Sequence, residues 1–222
     1  ESPFSVEDLN QARLALLASL PGTQMKKKGV LSVDDTHLSH YGRFFDQIAY
    51  LYDPAEKRHV WAHNLVNLHY SDDLTDYPVA FQLWKPVDLE KLEHGLPAVG
   101  VKLRASKFAL KHEDPKKWRN YLLGVWRRHQ SKPEVAELYK SKLLIARHLL
   151  QARVADNPTP NLPVAFDNWY TKPAFCRFLD KELQLRYVGD LAVDDEVLLA
   201  SGPESLESFA QRLKEEHLAG VE

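Results

Sequence analysis

The chain reads as an α/β protein with a mixed sheet, three antiparallel strands followed by parallel ones, flanked by helices. Three observations predict this. Residues 30–86 form a tract rich in aromatic and β-branched residues cut by polar turns, residues 87–157 become charged and helical, and the chain then alternates strand, helix, strand. The order suggests a meander first and crossover connections afterwards.

The elements follow in order. VEDLNQARLALLASL, 6–20, has the apolar spacing of a short helix, ended by Pro21-Gly22. VLSVDD, 30–35, reads as a short strand that stops at paired carboxylates, and 36–45 as a loop around Gly42. Residues 45–53, 58–72 and 75–86 read as extended segments. Residues 89–95 suggest a short helical piece, and Trp118, Tyr121, Leu122, Val125 and Trp126 predict a helix over 114–130. The stretch 131–157 predicts one long helix, with Ser131 as cap, Pro133 in the first turn and Glu134 at the capping-box distance. Pro158, Pro160 and Pro163 break the chain before the strand VAFD, 164–167. A helix capped by Thr171 is expected to run to about Leu183, then a strand over 185–193 and a helix over 204–220.

Composition narrows the function classes. The chain has 222 residues, of which 44% are hydrophobic and 10% aromatic, with five Trp, as expected of a globular core and not of a disordered segment. Its single cysteine, Cys176, excludes an internal disulfide framework. No run is long enough to cross a bilayer, and ESPFSVEDLN lacks the basic and apolar parts of a secretion signal, so a cytoplasmic protein is expected. His63, His69 and Cys176 lack the clustered spacing of a zinc site.

Charge is unevenly distributed. Residues 101–150 carry 13 Lys+Arg against 4 Asp+Glu, while residues 1–100 carry 9 against 14 and residues 151–222 carry 7 against 13. A basic middle between acidic flanks suits a polyanion, and also suits the solvated faces of two lysine-rich helices. Lys102, Arg104, Lys107, Lys111, Lys116, Lys117, Arg119, Arg127 and Arg128 are the candidates for phosphate contacts.

The candidate chemistry lies at strand exits. If the strands at 30–35 and 164–167 are adjacent and parallel, Asp34 or Asp35 stands beside Asp167 at one sheet edge. Carboxylates held that close repel, and a divalent cation relieves the repulsion; hard oxygen donors favour Mg²⁺ or Mn²⁺. An aspartate after a strand is otherwise a turn or cap residue. Thr36, His37, Asn168 and Trp169 flank the carboxylates and are expected near substrate.

LSVDDTHLSHYG, then AYLYDPAEKRHVWAHNLVNLHYSDDLTDYPVAFQLW, then VAFDNWYTKPAFCRFLDKELQLRYVGDL resemble the DDE transposases of bacterial insertion sequences, in the broad IS4-like and IS701-like group. The resemblance covers about residues 29–195 and implies a ribonuclease H-like fold. It implies two aspartates and a glutamate holding two Mg²⁺ ions, hydrolysis at element ends, strand transfer by a 3'-hydroxyl, and a homodimer assembled on double-stranded chromosomal or plasmid DNA. The first aspartate falls on Asp34, with Asp35 as the alternate, and the second on Asp167.

The Tyr-Arg-Glu-Lys signature expected around the glutamate does not follow Asp167; Glu204, Glu207, Glu215 and Glu216 match by type only. The expectation is therefore a chain that stops before its third acid. Its organisation is expected to be a helical segment over 1–28, the core over 29–195, and the start of an insertion or a C-terminal helical segment over 196–222. A noncatalytic DNA-binding or protein-interaction module derived from a transposase is the alternative.

Overall fold

The computed structural model describes residues 5–156 and 161–215. Its elements are α1 (Val6–Ser19), β1 (Val30–Ser39), β2 (Ala49–Asp53), β3 (Arg58–Ser71), β4 (Asp76–Trp84), α2 (Leu89–Ala98), α3 (Leu110–Glu113), α4 (Pro115–His129), α5 (Pro133–Ala136), α6 (Lys142–Asp156), β5 (Val164–Phe166), α7 (Pro173–Arg177), β6 (Tyr187–Gly189), β7 (Glu196–Leu199), β8 (Gly202–Ser205) and α8 (Leu206–Glu215). The main sheet has the order β2-β3-β1-β5-β6, with β4 also on β3, and β7–β8 form a separate hairpin. β2 pairs antiparallel with β3, whereas β5 pairs parallel with both β1 and β6. This is the mixed α/β arrangement expected, consistent with a ribonuclease H-like fold.

The chain divides into two compact units, residues 1–34, 67–81 and 146–222, and residues 35–66 and 82–145. In the first, Leu31, Val33, Val164 and Phe166 bury one face of the parallel strands, and Tyr170, Phe175, Phe178 and Leu179 are buried too. Ser5 and Asp8 form a capping box that starts α1. Asn10 of α1 donates to the Val79 carbonyl at 2.9 Å and Arg13 donates to the Pro78 carbonyl, both on β4. Tyr70 is fully buried beneath Gly29, where a Cβ would collide with the tyrosine ring. Its hydroxyl donates to Asp72 at 2.6 Å and accepts the Lys26 backbone N–H at 2.8 Å.

In the second unit, Leu92, Leu96, Val101, Trp118, Leu122, Val125, Trp126 and Val135 pack α2, α4 and α5 together. α4 begins at Pro115 after Asp114, whose carboxylate accepts the Lys117 N–H at 2.9 Å, so the cap and the proline act as their positions predict. Leu51, Val60 and Ala62 form a smaller cluster backed by Trp84.

Several elements differ from the sequence reading, and the strand expected over 185–193 is reduced to β6. β1 does not stop at the carboxylates but runs to Ser39, so Thr36 and His37 are strand residues. The expected helix over 131–157 is two pieces: Tyr139 sets its ring edge-on to Trp126 (5.0 Å), and Ser141 opens a new helix by accepting the Leu144 N–H at 3.2 Å. Thr171 is not a helix cap; Lys172 precedes α7, which passes into a π-helical turn over Phe178–Glu182. The hairpin β7–β8 has no counterpart in the sequence pattern. Pro158, Pro160, Glu216 and the end of the helix expected over 204–220 lie outside the described residues.

Candidate active site

The register of the parallel strands locates the two candidate carboxylates. Leu31, Ser32 and Val33 face Val164, Ala165 and Phe166. The next residue on each strand is an aspartate, Asp34 on β1 and Asp167 after β5. Strand alternation puts both on the face opposite the buried Val33 and Phe166. The sheet register therefore brings the chain positions of Asp34 and Asp167 to the ends of the same paired stretch. Both are exposed.

Asp167 also forms the turn that leaves the strand. Its Oδ1 accepts the backbone N–H of Trp169 at 3.0 Å and of Tyr170 at 3.3 Å, and the fully buried Tyr170 ring anchors that turn. The Thr171 hydroxyl donates to the Asp190 carbonyl at 2.6 Å and lies 3.1 Å from the Asp167 carbonyl, tying the exits of β5 and β6 together. The turn thus engages Oδ1 of an exposed side chain. Asn168 and Trp169 stand exposed beside this carboxylate, with the Trp169 ring edge-on to Tyr170 at 5.1 Å.

Asp35 is differently employed. Its Oδ2 accepts from Lys142 Nζ at 2.6 Å and from Asn64 Nδ2 at 2.8 Å. Thr36 is exposed and His37 partly buried on the same strand. His40 forms a ring-to-ring hydrogen bond with His63 at 2.8 Å, and His63 Nε2 donates to the Asp46 carbonyl at 2.7 Å. His69 Nε2 lies 3.4 Å from Asp76.

The basic candidates occupy α3, α4 and the segment before them. Lys111 pairs with Glu93 at 2.9 Å and Lys117 with Asp114 at 3.0 Å, so part of their charge is answered locally. Lys116, Arg119, Arg127 and Arg128 are exposed on α4, and helical spacing sets Lys116, Arg119 and Arg127 along one stripe. The Arg104 backbone N–H donates to the Tyr121 hydroxyl at 2.6 Å. Lys102 is exposed and Lys107 partly buried.

The model for the DDE superfamily endonuclease family matches residues 3–207. The chain belongs to this family. No curated protein matches it. Hard carboxylate oxygens on adjacent strands fit the metal chemistry of DDE enzymes, since Mg²⁺ commonly takes one or two protein carboxylates and completes its shell with water and phosphate. Among the described residues, no three His, Cys, Asp or Glu side chains converge as a metal-holding group.

One residue escapes the sequence reading. Val164, Ala165 and Phe166 face Tyr187, Val188 and Gly189 on β6, so Asp190 is the next register partner of Asp167. The signal is present, since LRYVGD ends an apolar run on an aspartate as VAFD does. Of the glutamates singled out for type, Glu204 pairs with Arg212 at 3.2 Å and Glu215 accepts from Gln211 at 2.9 Å.

Proposed function

We propose that this chain is the catalytic core of a DNA transposase of the IS4-like or IS701-like group, with Asp34 and Asp167 as its metal ligands. The observation that carries the reading is the parallel β1–β5 register, which ends on both strands one residue before these aspartates. Bound Mg²⁺ or Mn²⁺, two ions in a complete site, would neutralise the scissile phosphate and activate the attacking oxygen. The chain's own part is to hold the oxygens in place. The Asp167 turn fixes Oδ1 and so sets the direction of Oδ2, and Asp34 is held by a strand paired up to the preceding residue.

Water attacks phosphorus at the element end, and the 3'-oxygen leaves and takes up a proton given up by the water; that 3'-hydroxyl then attacks a target phosphodiester, whose own 3'-oxygen leaves and takes the hydroxyl's proton. The α4 stripe would hold the duplex by its phosphates, with Lys102, Arg104, Lys107, Lys111, Lys117 and Arg128 flanking it. Asn168 and Trp169 would border the reacting strand. A homodimer on paired DNA ends completes the proposal. Asp190, next in register, is the residue to test as a third oxygen donor.

Mn²⁺ titration by calorimetry tests this, alongside supercoiled-plasmid nicking. Asp34→Asn and Asp167→Asn should each abolish both signals and leave DNA binding intact. A second reading, a noncatalytic DNA-binding module, is favoured by the absence of a three-ligand group among the described residues. It predicts salt-sensitive DNA binding that ignores Mn²⁺ and both substitutions.

A further inference from the structure

The aspartate after Asp34 is held unlike a metal ligand. Asp35 and Lys142 both have largely buried side chains, 19% and 15% exposed, and their ion pair is 2.6 Å. Lys142 Nζ also sits 4.7 Å from the centre of the Trp84 ring, and Trp84 Nε1 points to the Tyr139 hydroxyl at 3.4 Å. Asn64 is 1% exposed and turns its Nδ2 to the same Asp35 oxygen, while its Oδ1 has no hydrogen-bond partner among the described residues. An amide that satisfies its donor and leaves its buried acceptor unanswered is oriented by the carboxylate, because bonds to charged groups are the stronger ones. β1, β3, β4 and the start of α6 thus each contribute one group to this arrangement.

Resting on the transposase reading above, we propose that Asp35 is a positioning residue. Clamped by Lys142 and Asn64, it fixes the rotation of β1, and so aims the Asp34 carboxylate, which strand alternation sends to the opposite face. On this proposal Asp34, and not Asp35, serves the metal. Asp35 Oδ2 already holds an ammonium group and a buried amide, so a cation bound at Asp35 would sit beside a fixed positive charge.

The two roles predict opposite responses to Lys142→Met, which keeps the side chain's stem but removes its charge. If Asp35 positions, Lys142→Met and Asp35→Asn should each weaken Mn²⁺ binding about five- to twentyfold without abolishing it. The double variant should be no weaker than the worse single one, since both remove one device. Lys140→Met is the control and should change nothing. If Asp35 is a ligand, Lys142→Met removes a competitor and tightens Mn²⁺ binding, and Asp35→Asn abolishes it as Asp34→Asn does; either result overturns the proposal.

Amide exchange of the metal-free protein, read by mass spectrometry over residues 31–38, separates this from the transposase reading. Faster exchange confined to that segment in Lys142→Met supports the clamp even where the parent binds no Mn²⁺, an outcome that would defeat the metal reading alone. Unchanged exchange defeats the clamp. Lys142→Arg, which keeps the charge, should preserve both readouts and serves where Lys142→Met does not fold.

Discussion

At the scale of single residues, the molecule uses carboxylates in three ways. Asp167 closes a turn through one carboxylate oxygen, Asp35 is held in an ion pair, and Asp72 anchors a buried phenol. The last has a pH signature. The Tyr70 hydroxyl and the backbone N–H groups of Leu74 and Thr75 hold the Asp72 carboxyl down to about 2. Burial, with Asp72 beside it, pushes the Tyr70 phenol up to about 12. Asp72 therefore stabilises the native state fully above its ordinary value near 4 and loses that contribution as pH falls towards 2. The Tyr70 contribution is complete below about pH 10 and fades as pH rises towards 12. Tyr70→Phe should lower the melting temperature at pH 7 and flatten both limbs of the profile. A melting series from pH 2 to 11 checks this, and limbs unchanged by the substitution would refute it.

At the scale of elements, parallel pairing and helix caps make distinct predictions. Gly189 faces Phe166 so closely that a Cβ would collide with the Phe166 ring and crowd the Thr171 hydroxyl. Gly189→Ala should separate β6 from β5, destabilise the protein by about 1–3 kcal/mol as overpacking does, and weaken Mn²⁺ binding through the shared turn. Ser141→Ala removes the side-chain acceptor that starts α6 and should cost about 1 kcal/mol in urea denaturation. The element scale also shows what the sequence could convey. The core stripe of α4 is legible because Trp118, Leu122, Val125 and Trp126 recur at helical spacing and Asp114-Pro115 marks the start. The break before Ser141 is not, because a tertiary aromatic pairing of Tyr139 with Trp126 overrides a locally continuous helical pattern. β1 reads short because its outer half, Asp34 to Ser39, is exposed or half-buried and lacks the apolar alternation that reveals a strand. Asp167 can be found in the sequence as a strand exit, whereas the Asp34–Asp35 pair, read as an exit, lies mid-strand, and the ion pair that sets Asp35 apart comes from Lys142, 107 residues away in sequence.

At the scale of the whole molecule, the net charge of −2 conceals the basic segment, and α4 displays part of that charge on a solvent face. Replacing Arg119 and Arg127 together by Ala should weaken duplex binding similarly for unrelated sequences. The log–log salt slope should become shallower by about 0.9 for each phosphate the protein no longer neutralises. Fluorescence anisotropy at several salt concentrations measures both; an unchanged slope would place the DNA elsewhere. Among the described residues, no helix is long and apolar enough to cross a membrane.

The fastening of α1 to β4 bears on how the protein behaves in concentrated solution. β4 pairs with β3, and the Pro78 and Val79 carbonyls on β4 are taken by Arg13 and Asn10. A strand whose carbonyls are already occupied, and which carries a proline, is a poor template for a foreign strand. The first helix would therefore hinder a foreign strand from pairing along β4. Removing residues 1–20, or substituting Asn10 and Arg13 by Ala, should leave the parallel strands intact yet make the protein more prone than the parent to aggregate on warming, visible as light scattering ahead of the unfolding transition.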